Sequence, residues 1–341
     1  MERKTIGVVA VVAVLASGAV ATAGLLAPGT GRVDVPDEVS SSRPAPFYIA
    51  DGVIHDGDRE VDTGDAIIGF ANSLERVAGG WLLGKWEDDT NDAYLVSEDG
   101  GVRKVASLPY GTVWDVHAAG RRLAFVHGRR YQWLDLTDPA ARARDLPLRP
   151  AGRPTGDIGW SGDDVIAGWL PAGSKQPALV VHHTDGSTEV ISKGAPVDQI
   201  SASPDGAYVV GTDREAEGDP FSCLAGRPVA DAENRWPRRI CDEYIISTSP
   251  YSPDGTRFVS VAWALNADGA SAVVVRAADD GRRLSRFATG SLTNDVTWAG
   301  PDTIAFVHDR TLQYCSTDGS CAQVANAAEW LTAGTDTGVT R

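Results

Sequence analysis

Short apolar runs separated by small polar turns recur along the chain between about residues 47 and 334. In a typical unit, an apolar run is followed by a tight polar turn and by a second run of β-branched and aromatic residues. Later in most units, two further runs flank an acidic turn of the Asp-Gly type, as at 185–186 and 318–319. Asp-Gly between apolar runs favours a hairpin because Gly accepts the positive φ of the turn. Each unit is therefore predicted to contain four antiparallel strands.

The length of the repeat predicts the architecture. First strands are predicted to end at positions 77, 118, 160, 202, 251 and 298, so that successive units are 41, 42, 42, 49 and 47 residues apart. Four strands repeated at this spacing are typical of a β-propeller blade. We therefore expect an all-β protein whose residues 47–335 form a seven-bladed β-propeller of four-stranded blades.

The seventh blade is expected to be a composite of the two chain ends. Strands are predicted within residues 47–62 without a preceding first strand, and residues 328–334 leave room for one strand after the last full unit. Pairing these segments closes the ring and hides both open sheet edges. A six-bladed ring, in which the terminal strands extend an existing blade, is the alternative.

Two units carry the complete turn motif Ser-Pro-Asp-Gly. In such a turn the Asp side chain folds onto backbone amides, Pro fixes φ, and Gly occupies the left-handed corner. The residues of both turns are therefore predicted to be structural and not catalytic. They are Ser203, Pro204, Asp205, Gly206, Ser252, Pro253, Asp254 and Gly255.

These motif-bearing units resemble the WD40-like or TolB-type propeller repeats of bacterial exported proteins. Degenerate copies of the motif stand at 160–164 and 298–302, and the first two units lack it. The sequence has no room for the additional N-terminal α/β domain of TolB, so the role of TolB in envelope integrity is not carried over. Only five of the 31 basic residues are Lys, while Ala, Gly and Val abound, which indicates a high-GC, actinobacterial source.

Residues 1–27 are predicted to be a targeting segment. Arg3 and Lys4 precede 22 uncharged residues, from Ile6 to Ala27, which is long enough to cross a bilayer. The stretch is longer than a typical secretory signal, yet Ala21-Thr22-Ala23 is an acceptable cleavage site, so a retained anchor and a cleaved signal peptide are both considered. Either one places the following residues outside the cytoplasm. Residues 28–46 are predicted to be a flexible linker, and residues 336–341 a C-terminal tail.

The amino-acid composition limits which classes of partner the protein can bind. The chain has 31 Lys and Arg against 46 Asp and Glu, a formal net charge of −15. Because nucleic acids need a basic surface, this balance argues against a nucleic-acid partner. The 43% hydrophobic and 23% charged residues are typical of a folded globular protein.

Four cysteines are predicted to form two local disulfides. Cys315 and Cys321 flank a hairpin turn, and cross-strand positions at the mouth of a hairpin lie near the Cα separation that a disulfide needs. Cys223 and Cys241 bracket an insertion in the fourth full unit. Neither spacing is that of a zinc site.

The sequence contains no complete signature of catalysis. The segment 79–85 matches the start of a phosphate-binding loop, but Trp86 replaces the Ser or Thr that would hold magnesium. A convergence of His117, His127 and His308, and a calcium loop at 87–92, are weaker possibilities than ordinary surface positions. No catalytic residue, metal site or cofactor is predicted.

The sequence thus predicts a non-enzymatic, extracytoplasmic propeller that serves as a binding scaffold at the cell surface. Its expected partner is an extracytoplasmic protein, peptide or glycan, with the N-terminal segment in contact with the membrane. The charged insertion at 213–242 is the first candidate for the contact. The alternatives are a hydrolase or lyase acting on glycans or lactones, and the sensor part of a surface signalling complex.

Overall fold

The repeated units form separate antiparallel sheets in a computed structural model of the chain. The structure describes residues 44–67, 71–109, 114–146, 151–175, 177–193, 198–213, 223–230, 236, 240–241, 243–245, 249–262, 271–289, 296–308, 310–327 and 330–335. Within these ranges there are seven sheets, here called blades 1 to 7 in chain order. The prediction of a seven-bladed, all-β propeller is confirmed, and the six-bladed alternative is wrong.

The predicted targeting segment, most of the linker and the C-terminal tail lie outside the described residues. Across the ranges given above, no helix is both long enough and apolar enough to span a membrane. The membrane anchor or signal peptide therefore stays a prediction.

Blades 1 to 4 are contiguous in the chain apart from one strand. Blade 1 contains β1 (Phe47–Ala50), β2 (Val53–Asp56) and β3 (Arg59–Asp62), and a 3-10 helix (Gly64–Ile67) follows it. Blade 2 contains β4 (Ala71–Val77), β5 (Gly80–Glu87), β6 (Thr90–Ser97) and β7 (Val102–Pro109). Blade 3 contains β8 (Trp114–Val116), β9 (Arg122–His127), β10 (Arg130–Asp135) and β11 (Arg144–Asp145). Blade 4 contains β12 (Gly152–Ser161), β13 (Asp164–Pro171), β14 (Ala178–His182) and β15 (Thr188–Lys193).

The remaining strands complete the ring. Blade 5 contains β16 (Asp198–Ala202), β17 (Tyr208–Asp213) and β18 (Cys223–Pro228). Blade 6 contains β19 (Glu243–Tyr244), β20 (Arg257–Ala262), β21 (Ala272–Ala277) and β22 (Arg283–Ala288). Blade 7 contains β23 (Val296–Gly300), β24 (Thr303–His308), β25 (Thr311–Ser316) and β26 (Cys321–Asn326), and β27 (Leu331–Ala333) then joins blade 1.

Blade 1 is the composite blade that the sequence predicts. Its strand order is β27-β1-β2-β3, and β27 pairs antiparallel with β1, with Tyr48 opposite Ala333. Just beyond β27, the backbone N–H of Thr335 donates to the carbonyl of Leu74 in blade 2 at 2.7 Å. The chain end therefore ties blade 1 to blade 2 as well as completing blade 1.

Blade 5 departs from the four-stranded pattern. Its sheet has three strands among the described residues, and an isolated bridge between Leu224 and Ile240 stands where the outer strand would pair. The disulfide between Cys223 and Cys241 holds this segment beside β18. Trp236 packs on the same edge, where a Cβ at Gly226 would lie 2.1 Å from the indole ring, so only Gly fits there. The insertion thus supplies part of the outer edge of its own blade.

Tryptophan side chains join successive blades. In four joints an indole N–H donates a hydrogen bond to an acceptor in the preceding blade, which satisfies the only polar atom of a large buried ring. The bonds run from Trp81 to Asp56 (2.8 Å), from Trp114 to Glu75 (3.1 Å), from Trp160 to the Asp115 carbonyl (3.1 Å) and from Trp298 to the Pro250 carbonyl (2.7 Å). Each indole therefore both fills the space between two blades and sets their relative position.

The joint between blades 1 and 2 also contains a buried ion pair. The Asp56 carboxylate accepts from Nη2 of Arg76 at 2.8 Å, in addition to the Trp81 indole. The Arg76 guanidinium lies 4.2 Å above the centre of the Phe47 ring. One carboxylate thus satisfies two buried donors at the place where the ring closes.

We expect Asp56→Ala to destabilise the protein strongly, because it leaves the Arg76 guanidinium and the Trp81 indole N–H without this acceptor. Removing one member of a buried ion pair costs about 3–5 kcal/mol. The matched control is Asp58→Ala, an exposed turn position two residues away, which should change the free energy of unfolding by less than about 0.5 kcal/mol. Urea unfolding followed by circular dichroism measures both, and equal effects would contradict the assigned role.

The two disulfides are expected to contribute unequally to stability. Cys223 and Cys241 are 18 residues apart, whereas Cys315 and Cys321 are 6 apart and face each other across the β25–β26 pair. In the chain-entropy model the longer loop contributes about 3 kcal/mol and the shorter about 2 kcal/mol. Replacing each pair by Ser and comparing urea midpoints tests the order. A larger loss from the 315–321 pair would show that chain entropy does not dominate.

Candidate functional site

The turns between the first and second strands of the blades lie on one face of the ring, here called the turn face. They are at 78–79, 117–121, 162–163, 203–207, 252–256 and 301–302. The turn face contains both Ser-Pro-Asp-Gly motifs, an open groove between blades 2 and 3, and a small cavity bounded by blades 3 to 6.

The side chains of the two motif turns bond within their own turns. The Ser203 hydroxyl donates to Oδ1 of Asp205 at 2.6 Å, and the same carboxylate oxygen accepts the N–H of Ala207. The N–H of Gly206 closes the turn on the Ser203 carbonyl at 2.8 Å, with φ of +72° at Gly206. The second turn repeats this arrangement, with Ser252 donating to Asp254 at 2.6 Å. These hydrogen bonds are the ones a structural turn requires.

His117 connects two blades on the turn face. Its Nδ1 accepts the N–H of Ala119 at 3.0 Å, so the proton lies on Nε2, which is 3.3 Å from Oδ1 of Asp163. Burial lowers the pKa of His117, although the Asp163 carboxylate opposes the shift. The imidazole is therefore a neutral link between blades 3 and 4.

The pKa of a second histidine, His183, is shifted in the opposite direction to that of His117. Its Nδ1 lies 2.8 Å from Oδ2 of Asp164, and its Nε2 lies 3.8 Å from Glu189. The hydrogen bond to Asp164 raises the pKa of His183 above its usual value. No group of three or more His, Cys, Asp or Glu that could hold a metal lies together in the described ranges.

The groove between blades 2 and 3 is open and has a volume of about 780 Å³. Its lining combines apolar and cationic residues, among them Leu95, Val102, Leu136, Arg103 and Arg121. Both arginines lack a carboxylate partner within the described part of the chain. The groove is therefore a cationic and apolar surface on a protein of strongly negative net charge.

The cavity is smaller and more enclosed, with a volume of about 40 Å³. Its lining includes Asp115, Trp160, Ser201 and Tyr251, which come from four successive blades. The backbone N–H of Trp160 donates to Oδ2 of Asp115 at 2.7 Å. Burial raises the pKa of Asp115 well above its usual value, the Trp160 N–H opposes this, and the nearby Glu75 carboxylate adds to it.

The structure and the sequence-based candidates overlap only in part. Most charged residues of the insertion at 213–242 lie outside the described residues, so the contact proposed for that segment is not described. The segment 79–85 lies largely in β5, a blade strand. The residues of the groove and of the cavity were not predicted from the sequence, because each set is gathered from different blades and forms no local motif.

The His183–Asp164 contact predicts a pH dependence. A histidine whose pKa is raised in the folded state stabilises the fold fully below about pH 6.5 and loses this contribution as the pH rises through the raised pKa. We expect Asp164→Asn to lower the pKa of His183 and to remove that pH-dependent stability. Histidine titration by NMR measures the pKa. Asp163→Asn, which alters the neighbouring carboxylate that contacts His117, is the control and should leave His183 unchanged.

Several solved structures are similar to this chain in fold, whereas no curated protein matches it in sequence. The chain matches no protein-family model and no curated protein sequence. TolB from Acinetobacter baumannii is 13% identical over 72% of this chain, with a TM-score of 0.46. The match covers 63% of the TolB chain, so this chain spans less than two thirds of that protein.

Other solved structures are similar to the same extent. An oligogalacturonate lyase from Vibrio parahaemolyticus is 12% identical over 73% of this chain and 75% of its own, with a TM-score of 0.47. The β-propeller domain of Cps50 (Swd1) from Myceliophteria thermophila is 12% identical over 85% of this chain and 97% of its own, with a TM-score of 0.46. At these identities the likeness concerns the fold alone, and an exported or actinobacterial origin stays a prediction.

Proposed function

We propose that this chain is a non-enzymatic, extracytoplasmic binding module that holds an acidic segment of a partner protein in the groove between blades 2 and 3. The observation that carries the proposal is the pair Arg103 and Arg121, which line the groove without a carboxylate partner in the described part of the chain. Some other arginines are paired with carboxylates, as Arg276 is with Glu243 at 2.6 Å. Two unmatched guanidinium groups in one groove favour an anionic partner.

The shape and lining of the groove favour an extended peptide. Its volume of about 780 Å³ is within the range of ligand sites, roughly 300–1,000 Å³, and it is open to solvent. Leu95, Val102 and Leu136 lie beside the two arginines. A segment that alternates acidic and apolar residues would place carboxylates at the guanidinium groups and bury its apolar side chains against these three residues.

Backbone hydrogen bonds preorganise the groove. The N–H of Ala78 donates to the Gly120 carbonyl at 2.9 Å, which joins the turns of blades 2 and 3. The N–H of Leu136 donates to the Arg121 carbonyl at 2.8 Å. Because the walls are fixed before binding, little ordering free energy opposes association.

The two disulfides support the proposed extracytoplasmic location. Both pairs of cysteines are bonded, which is consistent with an extracytoplasmic location because disulfides persist in oxidising compartments. The predicted N-terminal anchor or signal would place the propeller on the same side of the membrane. An extracytoplasmic protein that carries an exposed acidic segment is therefore the proposed partner.

The test measures binding of a fluorescein-labelled Glu-Leu-Glu-Leu-Glu-Leu peptide to the full chain by fluorescence polarisation. We expect saturable binding that weakens with salt, because exposed charges are screened. Arg103→Glu and Arg121→Glu should each weaken binding by about tenfold or more, since each replaces an attractive contact by a repulsive one.

The control for net charge is Arg129→Glu, an exposed position that does not line this groove. It changes the total charge by the same amount and should leave the peptide affinity within about twofold. A matching peptide with Lys in place of Glu should not bind. The proposal fails if Arg129→Glu weakens binding as much as the groove variants, or if the groove variants bind as the unmodified chain does.

A further inference from the structure

The cavity on the turn face is assembled from four blades and is separate from the groove. Asp115 comes from the end region of β8, Trp160 from β12, Ser201 from β16, and Tyr251 from the segment before β20. The cavity volume of about 40 Å³ leaves room for about three water molecules or one very small ligand. Any occupant would contact side chains of several blades at once.

Two residues that line this cavity carry hydroxyl groups without a hydrogen-bond partner in the described part of the chain. Tyr251 is 4% exposed, and its hydroxyl makes no hydrogen bond in the described structure. Ser201 is 7% exposed, and its hydroxyl, which is not fully enclosed, also forms no hydrogen bond within the described part of the chain. Buried hydroxyls without partners are unfavourable, and most buried polar groups in native proteins are satisfied. The cavity therefore offers unpartnered hydroxyl groups to a polar occupant.

The charges around the cavity favour a cation. Asp115 lines it and is 8% exposed, and no Lys, Arg or His is among its described lining residues. The Glu75 carboxylate adds to burial in raising the pKa of Asp115, and the Asp205 carboxylate does the same for the pKa of Tyr251. Both influences are negative, so the potential in the cavity opposes an anion and attracts a positive charge. A bound cation would favour the ionised form of Asp115.

The nature and number of the polar groups limit the chemical class of the ligand further. The Asp115 carboxylate and the hydroxyls of Ser201 and Tyr251 are three acceptors, which matches the three N–H donors of a primary ammonium group. Trp160 adds an aromatic wall, and aromatic rings attract cations. We propose that this cavity is a binding site for a primary ammonium group, bound by Asp115, Ser201 and Tyr251.

The cavity shares no lining residue with the groove between blades 2 and 3, so the proposal for either site can be disproved without affecting the other. The ammonium group has two possible sources, a small free amine or the tip of a lysine side chain. Their shared chemistry is the R–NH₃⁺ group, and the two arms of the experiment distinguish them. One arm uses methylammonium chloride, and the other uses Nα-acetyl-lysine methylamide.

The experiment follows thermal unfolding of the full chain and isothermal titration with each probe. A ligand that binds only the native state raises the melting temperature with its concentration. We expect methylammonium to bind saturably, whereas tetramethylammonium and potassium at equal ionic strength should not. Tighter binding of the lysine derivative would identify a lysine tip as the natural occupant, and binding of methylammonium alone would identify a free amine. Either result supports the ammonium site.

Two variants test the assigned groups. Asp115→Asn keeps the shape of the side chain and an oxygen for the Trp160 N–H but cannot ionise when a cation binds, and it should weaken methylammonium binding by about tenfold or more. Tyr251→Phe removes one acceptor and should weaken binding by several-fold. Because its hydroxyl has no partner in the ligand-free protein, Tyr251→Phe should leave stability without amine unchanged or increased, which a purely structural role would not predict.

Tyr94→Phe is the matched control, since Tyr94 lies on β6 and does not line the cavity. It should leave methylammonium binding unchanged. The proposal is overturned if methylammonium shows no saturable binding, if potassium binds equally well, or if Asp115→Asn and Tyr251→Phe bind the amine as the unmodified chain does. If Asp115→Asn does not fold, Tyr251→Phe still decides the outcome.

Discussion

Blade-to-blade contact is the constraint on which the rest of this structure depends, because a blade that is apolar on both faces must be covered by a neighbour on each side. Indole rings meet this need by filling a large volume, but each adds an N–H that has to be satisfied. In four of the joints the acceptor belongs to the preceding blade, as Asp56 does for Trp81 and Glu75 for Trp114. Several buried acidic residues are therefore explained by packing, and their burial alone does not indicate catalysis.

Ring closure is the point where this constraint is met by the two ends of the chain. β27 completes blade 1, and Thr335 bonds onward to Leu74 in blade 2. The Asp56–Arg76 pair lies at the same joint, so a hydrophobic contact, a sheet pairing and a buried ion pair all act there. This concentration suits a ring, since an open joint would expose two apolar blade faces and an unpaired strand edge.

The two inferred binding sites rest on polar groups that the fold does not use. The aspartates of the turns at 203–206 and 252–255 accept hydrogen bonds from their own turns. The carboxylates of this conspicuous motif are therefore used to hold the turns. By contrast, Arg103 and Arg121 line a groove without carboxylate partners among the described residues, and Ser201 and Tyr251 line a cavity with hydroxyls that form no hydrogen bond within the same ranges. Because the same fold hosts many functions, such unused groups carry more functional information than the propeller itself.

Local pattern was sufficient for the blade repeat, for the composite blade and for the two disulfides, because strand alternation, tight turns and a hairpin pair of cysteines involve residues close in the chain. The three-stranded sheet of blade 5 was not predicted, since the edge role of Trp236 and Ile240 depends on packing against Gly226 and Leu224. The groove and the cavity also could not be predicted from the local sequence pattern. Asp115, Ser201 and Tyr251 are separated by 86 and 50 residues, and they meet only because the ring brings the ends of successive inner strands to one place.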